Sequence, residues 1–177
     1  AVHCLQAAGA QVIVDDLGFL TQPYFEDGTV AAAYANALAQ GVVMVSAAGN
    51  LARSHYQAVY SNLAGTHNFG GGDITMNFSG ANGSTAVIIL QWSNRFGAAT
   101  DDYDLCVTNT AGTVIITCST GDQTGTQDPV EAVSVSCSSP SGCTGGIVIP
   151  LFSGTPQTLE MFIFGATATE YVVSADS

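Results

Sequence analysis

The stretch Val42-Val43-Met44-Val45-Ser46-Ala47-Ala48-Gly49-Asn50 is the most informative run in the sequence. Apolar residues fill successive positions from Val42 to Val45, which is typical of a strand buried on both faces of a parallel sheet. The run then ends in small residues and a Gly-Asn pair, a common way for a chain to leave a sheet. The stretch therefore predicts a buried strand that ends at Asn50.

The residues before this stretch extend the prediction to a parallel unit. Gln11–Asp15 is a second short apolar run of the same kind. Between the two runs, Thr29–Gln40 carries apolar side chains at helical spacing, with Asp27 or Thr29 as a cap and Gly41 as a terminator. A strand, a crossover helix and a strand predict one parallel βαβ unit. We therefore assign residues 1–50 to a partial α/β segment.

The pattern changes from residue 73 onward, where short β-rich runs recur between clusters of Gly, Ser, Asn and Asp. Such spacing predicts an antiparallel β-sandwich or jelly roll over residues 73–177. Residues 51–72 are polar, end in three glycines and are predicted to be a connector. The fold class is thus α/β plus all-β. The predicted strands are Asp73–Phe78, Thr85–Trp92, Tyr103–Val107, Thr113–Cys118, Val130–Val135, Gly146–Leu151, Thr158–Phe164 and Tyr171–Ser174.

Composition excludes several classes of function. The chain has 177 residues with 14 acidic side chains, only two basic ones and a net charge of −12. Binding to nucleic acid or to an anionic membrane requires clustered Lys and Arg, so we expect neither partner. No apolar run approaches the length of a membrane helix. The acidic, nearly lysine-free composition favours a secreted, extracellular protein.

The five cysteines suggest disulfides rather than a metal site. Cys137 and Cys143 bracket a turn-rich stretch, which suits a disulfide at the end of a hairpin. Cys106 and Cys118 lie on two predicted strands joined by a turn; they can pair or remain buried thiols.

The first segment resembles the subtilisin-like serine peptidases. In that family a run of the form G-V-x-x-V-x-A-A-G-N ends in an asparagine whose amide supports the tetrahedral oxyanion, and residues 41–50 match this run. The resemblance implies that Asn50 supplies an oxyanion-hole donor, a contribution of about 3–4 kcal/mol in acyl transfer. The alternative is an asparagine that only makes a left-handed turn after a strand.

The strand before it supports the same resemblance. The family has Ser-Leu-Gly after this strand, where the backbone pairs with the bound peptide; here Asp16-Leu17-Gly18 follows Asp15. The resemblance implies that Asp16, Leu17 and Gly18 bind substrate, with Asp16 replacing serine as a carboxylate in the subsite or as a coupled acid. The alternative for Asp16 is a solvated acid that caps a neighbouring helix.

The catalytic motifs of that family are missing from the sequence. The Gly-Thr-Ser, His-Gly-Thr and Asp-Ser/Thr-Gly motifs that carry its serine, histidine and aspartate do not occur. We therefore interpret the chain as an internal fragment of a secreted peptidase that cannot cut alone, associated with the remainder of its parent or with copies of itself. The alternative function is a structural one, a self-assembling extracellular subunit of filament type.

The second part resembles the pre-peptidase C-terminal type of bacterial sandwich domain, which commonly accompanies secreted peptidases. The resemblance is carried by Leu90–Trp92, Asp101–Leu105, Asn109–Gly112 and Asp128–Glu131. A carbohydrate platform around Trp92 is a further alternative for this part.

Calcium is the one cofactor that the sequence suggests. Asp102, Asp104 and Glu131, with Asp101 beside them, offer the carboxylate oxygens that calcium prefers. The alternation Asp-Tyr-Asp places Asp102 and Asp104 on one face of a strand. The alternative is an acidic strand edge that discourages aggregation.

Overall fold

The computed structural model describes residues 1–49 and 54–172. Contacts between Cα atoms divide the chain into two compact units. We call the described part of the first, residues 1–49, the βαβ unit, and that of the second, residues 54–172, the two-sheet unit. Neither described helix is long and apolar enough to cross a membrane.

The βαβ unit consists of α1 (Val2–Ala7), β1 (Val12–Asp15), α2 (Thr29–Ala39) and β2 (Val43–Ser46). β1 and β2 are parallel, with Val12 opposite Val43 and Asp15 opposite Ser46. Its small core is formed by Ile13, Ala37 and Val42. The elements agree with the parallel unit that the apolar runs predict.

The ends of α2 follow from the local sequence. Gly41 has a φ of 83°, a left-handed conformation in which glycine pays no steric penalty, and its N–H donates to Leu38 O. At the other end Gly28 is the N-cap and no side chain caps the helix, so the predicted cap from Asp27 or Thr29 is wrong.

The sheet of the βαβ unit has one open face. Val12, Val14, Val43 and Val45 lie side by side on that face and are all exposed, Val14 to 71%. We call these four residues the valine face. The prediction that both strands are buried on both faces is therefore wrong for this chain, because α2 covers only the face that carries Ile13.

The two-sheet unit is built from antiparallel strands. Its larger sheets have the orders β10-β9-β12-β6-β15 and β11-β7-β14-β3, and β13-β8 and β4-β5 are small two-stranded sheets. The strands are β3 (His55–Val59), β4 (Asn62–Leu63), β5 (Thr66–His67), β6 (Met76–Gly80), β7 (Thr85–Trp92), β8 (Asp102–Tyr103), β9 (Leu105–Thr108), β10 (Ile115–Ser119), β11 (Val130–Ser136), β12 (Cys143–Val148), β13 (Leu151–Ser153), β14 (Thr158–Phe164) and β15 (Thr167–Ala168).

The two larger sheets enclose one apolar core. In β14 burial alternates strictly, so that Leu159, Met161 and Ile163 point inward, as a period of two requires. They share the core with Phe78 and Ile147 of the other sheet. Residues 1–49 and 54–172 are mostly β-structure with two helices, as the sequence predicts in outline.

Two predicted segments differ from the structure. Residues 55–67, placed in the connector, instead form β3, β4 and β5, and β3 pairs with β14 as an edge strand. Tyr171 and Val172, the described part of the last predicted strand, are not in a strand; β15 forms earlier, at Thr167–Ala168. Pairing with distant strands decides both cases.

Both cysteine pairs are bonded in the two-sheet unit. Cys106 and Cys118 are directly opposite each other on β9 and β10 and form a disulfide. Cys137 and Cys143 form the other, across the turn in which Gly142 N–H donates to Ser139 O. Cys4 is an exposed free thiol. Two disulfides are a feature of proteins in oxidising compartments.

Candidate functional site at the carboxyl ends of the parallel strands

The carboxyl ends of β1 and β2 bring polar side chains together. Ser46 Oγ donates a hydrogen bond of 3.2 Å to Asp15 Oδ1 across the two strands. The hydroxyl of Tyr34, which projects from α2, donates to Asp15 Oδ2 at 2.6 Å. Ligand sites in parallel sheets form at this end of the strands, so this is the candidate site.

Asp15 is held as an ionised, anchored carboxylate. The hydrogen bond from Tyr34 lowers the pKa of Asp15, and this effect outweighs the opposing effect of burial. The same bond raises the pKa of the Tyr34 hydroxyl. The sequence did not predict this network. Tyr34 lies at an apolar position of the helical pattern, and nothing in that local pattern indicates a hydrogen bond to Asp15.

The predicted substrate-binding residues follow directly on Asp15. Asp16, Leu17 and Gly18 are exposed, and Leu17 N–H lies 3.4 Å from Asp15 Oδ1. A cavity of about 610 Å³ opens beside them. Its lining includes Asp15, Asp16, Leu17, Phe19, Val2 and Tyr34. The cavity is thus an apolar pocket with carboxylates at one side, which suits a side chain with an apolar stem.

The segment after β2 leaves the sheet next to Asp15. Ala47 N–H donates to Asp15 O at 3.1 Å, which continues the pairing one residue past the strand. Gly49 has a φ of 77°, and a Cβ built there would meet open space. The predicted oxyanion donor Asn50 lies outside the described residues.

The histidines of the two-sheet unit make structural contacts. His67 is buried; its Nδ1 accepts from Ser61 N–H at 3.1 Å, and its Nε2 lies 2.7 Å from Tyr56 Oη. Burial lowers the pKa of His67 to about 4. His55 Nε2 contacts Glu160 at 2.9 Å. Within residues 54–172, neither of these rings contacts a serine hydroxyl, so neither is arranged as a triad histidine.

The aspartates suggested for calcium separate into two environments. Asp101 accepts hydrogen bonds from Asn94, Thr155 and Gln157, which together outweigh the effect of burial and lower its pKa. Asp101 therefore ties the loop before β8 to the loop before β14. Asp102 lies on β8 and is buried, and Asp104 follows it. No group of three His, Cys, Asp or Glu side chains within the described ranges has the arrangement of a metal centre.

Glu131 is held in place by three protein donors. Gly121 N–H and Gln123 Nε2 donate to its Oε1 at 2.9 and 3.0 Å, and Ser119 Oγ donates to Oε2. Asp102, Asp104 and Glu131 lie near enough for their charges to interact, and their role as calcium ligands stays a prediction. Trp92 is fully buried, so the suggested carbohydrate platform around it is wrong.

Comparison with solved structures gives a similarity of fold. The chain is similar to the Clostridium perfringens CspB protease, with a TM-score of 0.55, 11% sequence identity, and coverage of 91% of this chain and 37% of that one. At this identity the likeness shows the fold alone, a distant subtilisin-like one. This chain therefore spans little more than a third of that protease.

Other comparisons add no argument. The Yersinia pseudotuberculosis-derived mitogen matches with a TM-score of 0.39, 13% identity and coverage of 70% of this chain and 86% of that one, which is too low to carry weight. No protein-family model and no curated protein matches the sequence.

Proposed function

We propose that this chain is part of a secreted subtilisin-like serine endopeptidase, to which it supplies the oxyanion-stabilising corner and an accessory β-sandwich. The observation that carries the proposal is the parallel pair β1–β2. At its carboxyl ends Asp15 lies next to Ser46 and Ala47, and the segments Asp16–Gly18 and Ala48–Asn50 follow directly in the sequence. The fold similarity to a protease supports it.

The chemistry assigned to this corner is charge stabilisation and substrate alignment. Attack on a peptide carbonyl builds negative charge on its oxygen, and the Asn50 amide would donate a hydrogen bond to that oxygen. The backbone of Leu17 and Gly18 would pair with the extended substrate. Asp15, fixed by Tyr34 and Ser46, would hold the ends of both strands in position.

Asp16 would set a preference at one subsite. Its carboxylate lies beside an apolar cavity, so a side chain with an apolar stem and a basic or polar end fits both features. The serine, the general base and its orienting acid are supplied by the remainder of the parent chain, because the family motifs for them are missing from this sequence.

Oxyanion stabilisation is tested in the full-length peptidase that contains this sequence. We expect Asn50→Ala to lower kcat by about 10²–10³-fold, with little effect on KM, because the donor acts mainly in the transition state. The matched control is Asn36→Ala on α2, whose side chain bonds only Gln40 in the structure, at 2.8 Å. Equal kcat values for the two variants would refute the role of Asn50.

The fragment itself is tested with a fluorophosphonate probe, which labels an activated serine. We expect no labelling of this chain alone and labelling of the longer or partner chain that completes the triad. Labelling of the isolated chain would contradict the proposal. Ordered polymers that form without any labelling would instead support the alternative structural role, to which the exposed valine face lends itself.

A further inference from the structure

Four carboxylates lie close together in the two-sheet unit. They are Asp102 on β8, Asp104 after it, Asp122 in the loop after β10, and Glu131 on β11; we call them the acidic cluster. Burial, together with the negative charges of the other members, raises the pKa of both Asp102 and Asp104. The four groups are thus near enough to repel one another.

Among the described residues, no positive charge acts on Asp102 or Asp104. The charges that act on Asp102 and Asp104 are all negative, and the donors to Glu131 are a hydroxyl, a backbone amide and a side-chain amide. The whole chain has only two basic side chains. Buried charges are normally paired or coordinated to a metal, since an unbalanced one costs several kcal/mol.

Gln123 is the observation that points to a ligand. Its side-chain Nε2 donates to Glu131 Oε1 at 3.0 Å, so its side-chain amide lies at the acidic cluster. Gln123 is 5% exposed, yet its Oε1 has no hydrogen-bond partner. Asp102, 4% exposed, likewise has an unpartnered Oδ1.

We propose that the acidic cluster binds one calcium-like divalent cation through Asp102 Oδ1 and Gln123 Oε1. Asp104 and Asp122 add negative charge and further oxygens, and water completes the shell. Calcium suits a site of mixed carboxylate, amide and water oxygens, whereas magnesium requires stricter octahedral geometry. Glu131 positions residues 119–123 through its three hydrogen bonds and is not a ligand.

The experiment measures the full chain after removal of bound ions with a chelator. We expect added Ca²⁺, up to about 10 mM, to raise the thermal midpoint by several degrees and to titrate with a stoichiometry of one; Mg²⁺ should do so more weakly. Absence of a midpoint shift and of binding heat over this range would overturn the proposal.

Two variants locate the ion. Asp102→Asn removes an unbalanced buried charge, so we expect the variant to fold and to lose at least about tenfold in Ca²⁺ affinity. Gln123→Ala is expected to weaken binding similarly. Asp27→Asn, an exposed acid of the βαβ unit, is the charge-matched control and should bind Ca²⁺ like the parent chain. An unchanged Ca²⁺ response in Asp102→Asn would overturn the assignment.

Terbium luminescence gives a readout independent of stability. Tb³⁺ takes the same oxygen ligands, and Tyr103, the residue between Asp102 and Asp104, can sensitise it. Trp92 can do so too, since its ring centroid lies 5.1 Å from that of Tyr103. We expect Tb³⁺ emission that Ca²⁺ displaces in the parent chain and that is lost in Asp102→Asn. Emission retained in Asp102→Asn would place the ion elsewhere and refute the site.

Discussion

Asp101 joins two loops of the two-sheet unit through its carboxylate. Its two carboxylate oxygens accept from Asn94 Nδ2, from the backbone and hydroxyl of Thr155, and from Gln157 Nε2 at 2.7 to 3.0 Å. It is 6% exposed. A carboxylate here has acceptor capacity for all four donors, which an amide lacks.

Asp101→Asn is expected to destabilise the chain by about 2–3 kcal/mol, because at least one buried donor loses its acceptor. Chemical denaturation monitored by Trp92 fluorescence measures the change, since Trp92 Nε1 donates to Asp101 O at 3.0 Å. Asp128→Asn is the control: this exposed acid accepts one bond, from Gly97 N–H. Equal effects of the two substitutions would contradict the role given to Asp101.

Asp102 and Asp101 are adjacent in sequence, yet the structure gives them opposite properties. The carboxylate of Asp101 is surrounded by donors and its pKa is lowered, whereas burial and neighbouring negative charges raise the pKa of Asp102. Asp101 lies in the loop before β8, whereas Asp102 is the first residue of that strand, so a run of acids does not define one environment.

At the scale of elements, the two parallel strands present an incomplete sheet. A two-stranded parallel sheet with an apolar open face is not a stable surface in water, because parallel sheets are normally covered on both sides. Exposed apolar area of this kind marks an interaction site. We propose that the remainder of the parent peptidase, or a second copy of the chain, covers the valine face.

The double substitution Val14→Thr and Val45→Thr tests this cover, because threonine has nearly the shape of valine and adds a hydroxyl. We expect the unsubstituted 177-residue chain to associate as its concentration rises and the double variant to shift towards monomer, since apolar contact drives the association. Light scattering after size-exclusion chromatography measures the mass.

Val59→Thr on β3 is the matched control, since Val59 is 65% exposed but lies outside the valine face. It should associate like the parent chain. If the unsubstituted chain stayed a dispersed monomer at all concentrations, the proposal that another surface covers the valine face would be contradicted.

At the scale of the whole molecule, a buried histidine contributes to the response to acid. The pKa of His67 falls to about 4 on folding, from an ordinary value of 6.5. The unfolded chain therefore binds more protons between these values, and stability must fall as the pH drops through this window. Below about pH 4 this contribution is fully lost. The raised pKa values of Asp102 and Asp104 have the opposite effect on stability. The folded chain binds more protons at these two groups, so their contribution to stability rises as the pH drops through their titration.

His67→Gln isolates that contribution. Glutamine does not titrate, so the free energy of unfolding of the variant should fall less steeply between pH 6.5 and 4 than that of the unsubstituted chain. The contribution of His67 to this slope is at most about 1.4 kcal/mol per pH unit. Denaturant titrations at a series of pH values measure it for both proteins. Parallel curves for the two proteins across this window would exclude His67 as the source.

The sequence by itself determined the elements whose patterns are local. Apolar runs and Gly41 predict β1, α2 and β2, and alternation predicts most strands of the two-sheet unit, because side-chain period and glycine conformation are set by neighbouring residues. Each disulfide could also be predicted from the sequence, since its two cysteines lie on either side of one turn.

Tertiary structure alone decided what depends on residues far apart in the chain. β3 became a strand by pairing with β14, about a hundred positions later, as the register His55–Phe162 shows. Glu131 is occupied by three hydrogen bonds because residues 119–123 fold onto it. The valine face stays open because α2 covers the other side of the sheet. Such features follow from which surfaces meet in space, a property that no window of sequence contains.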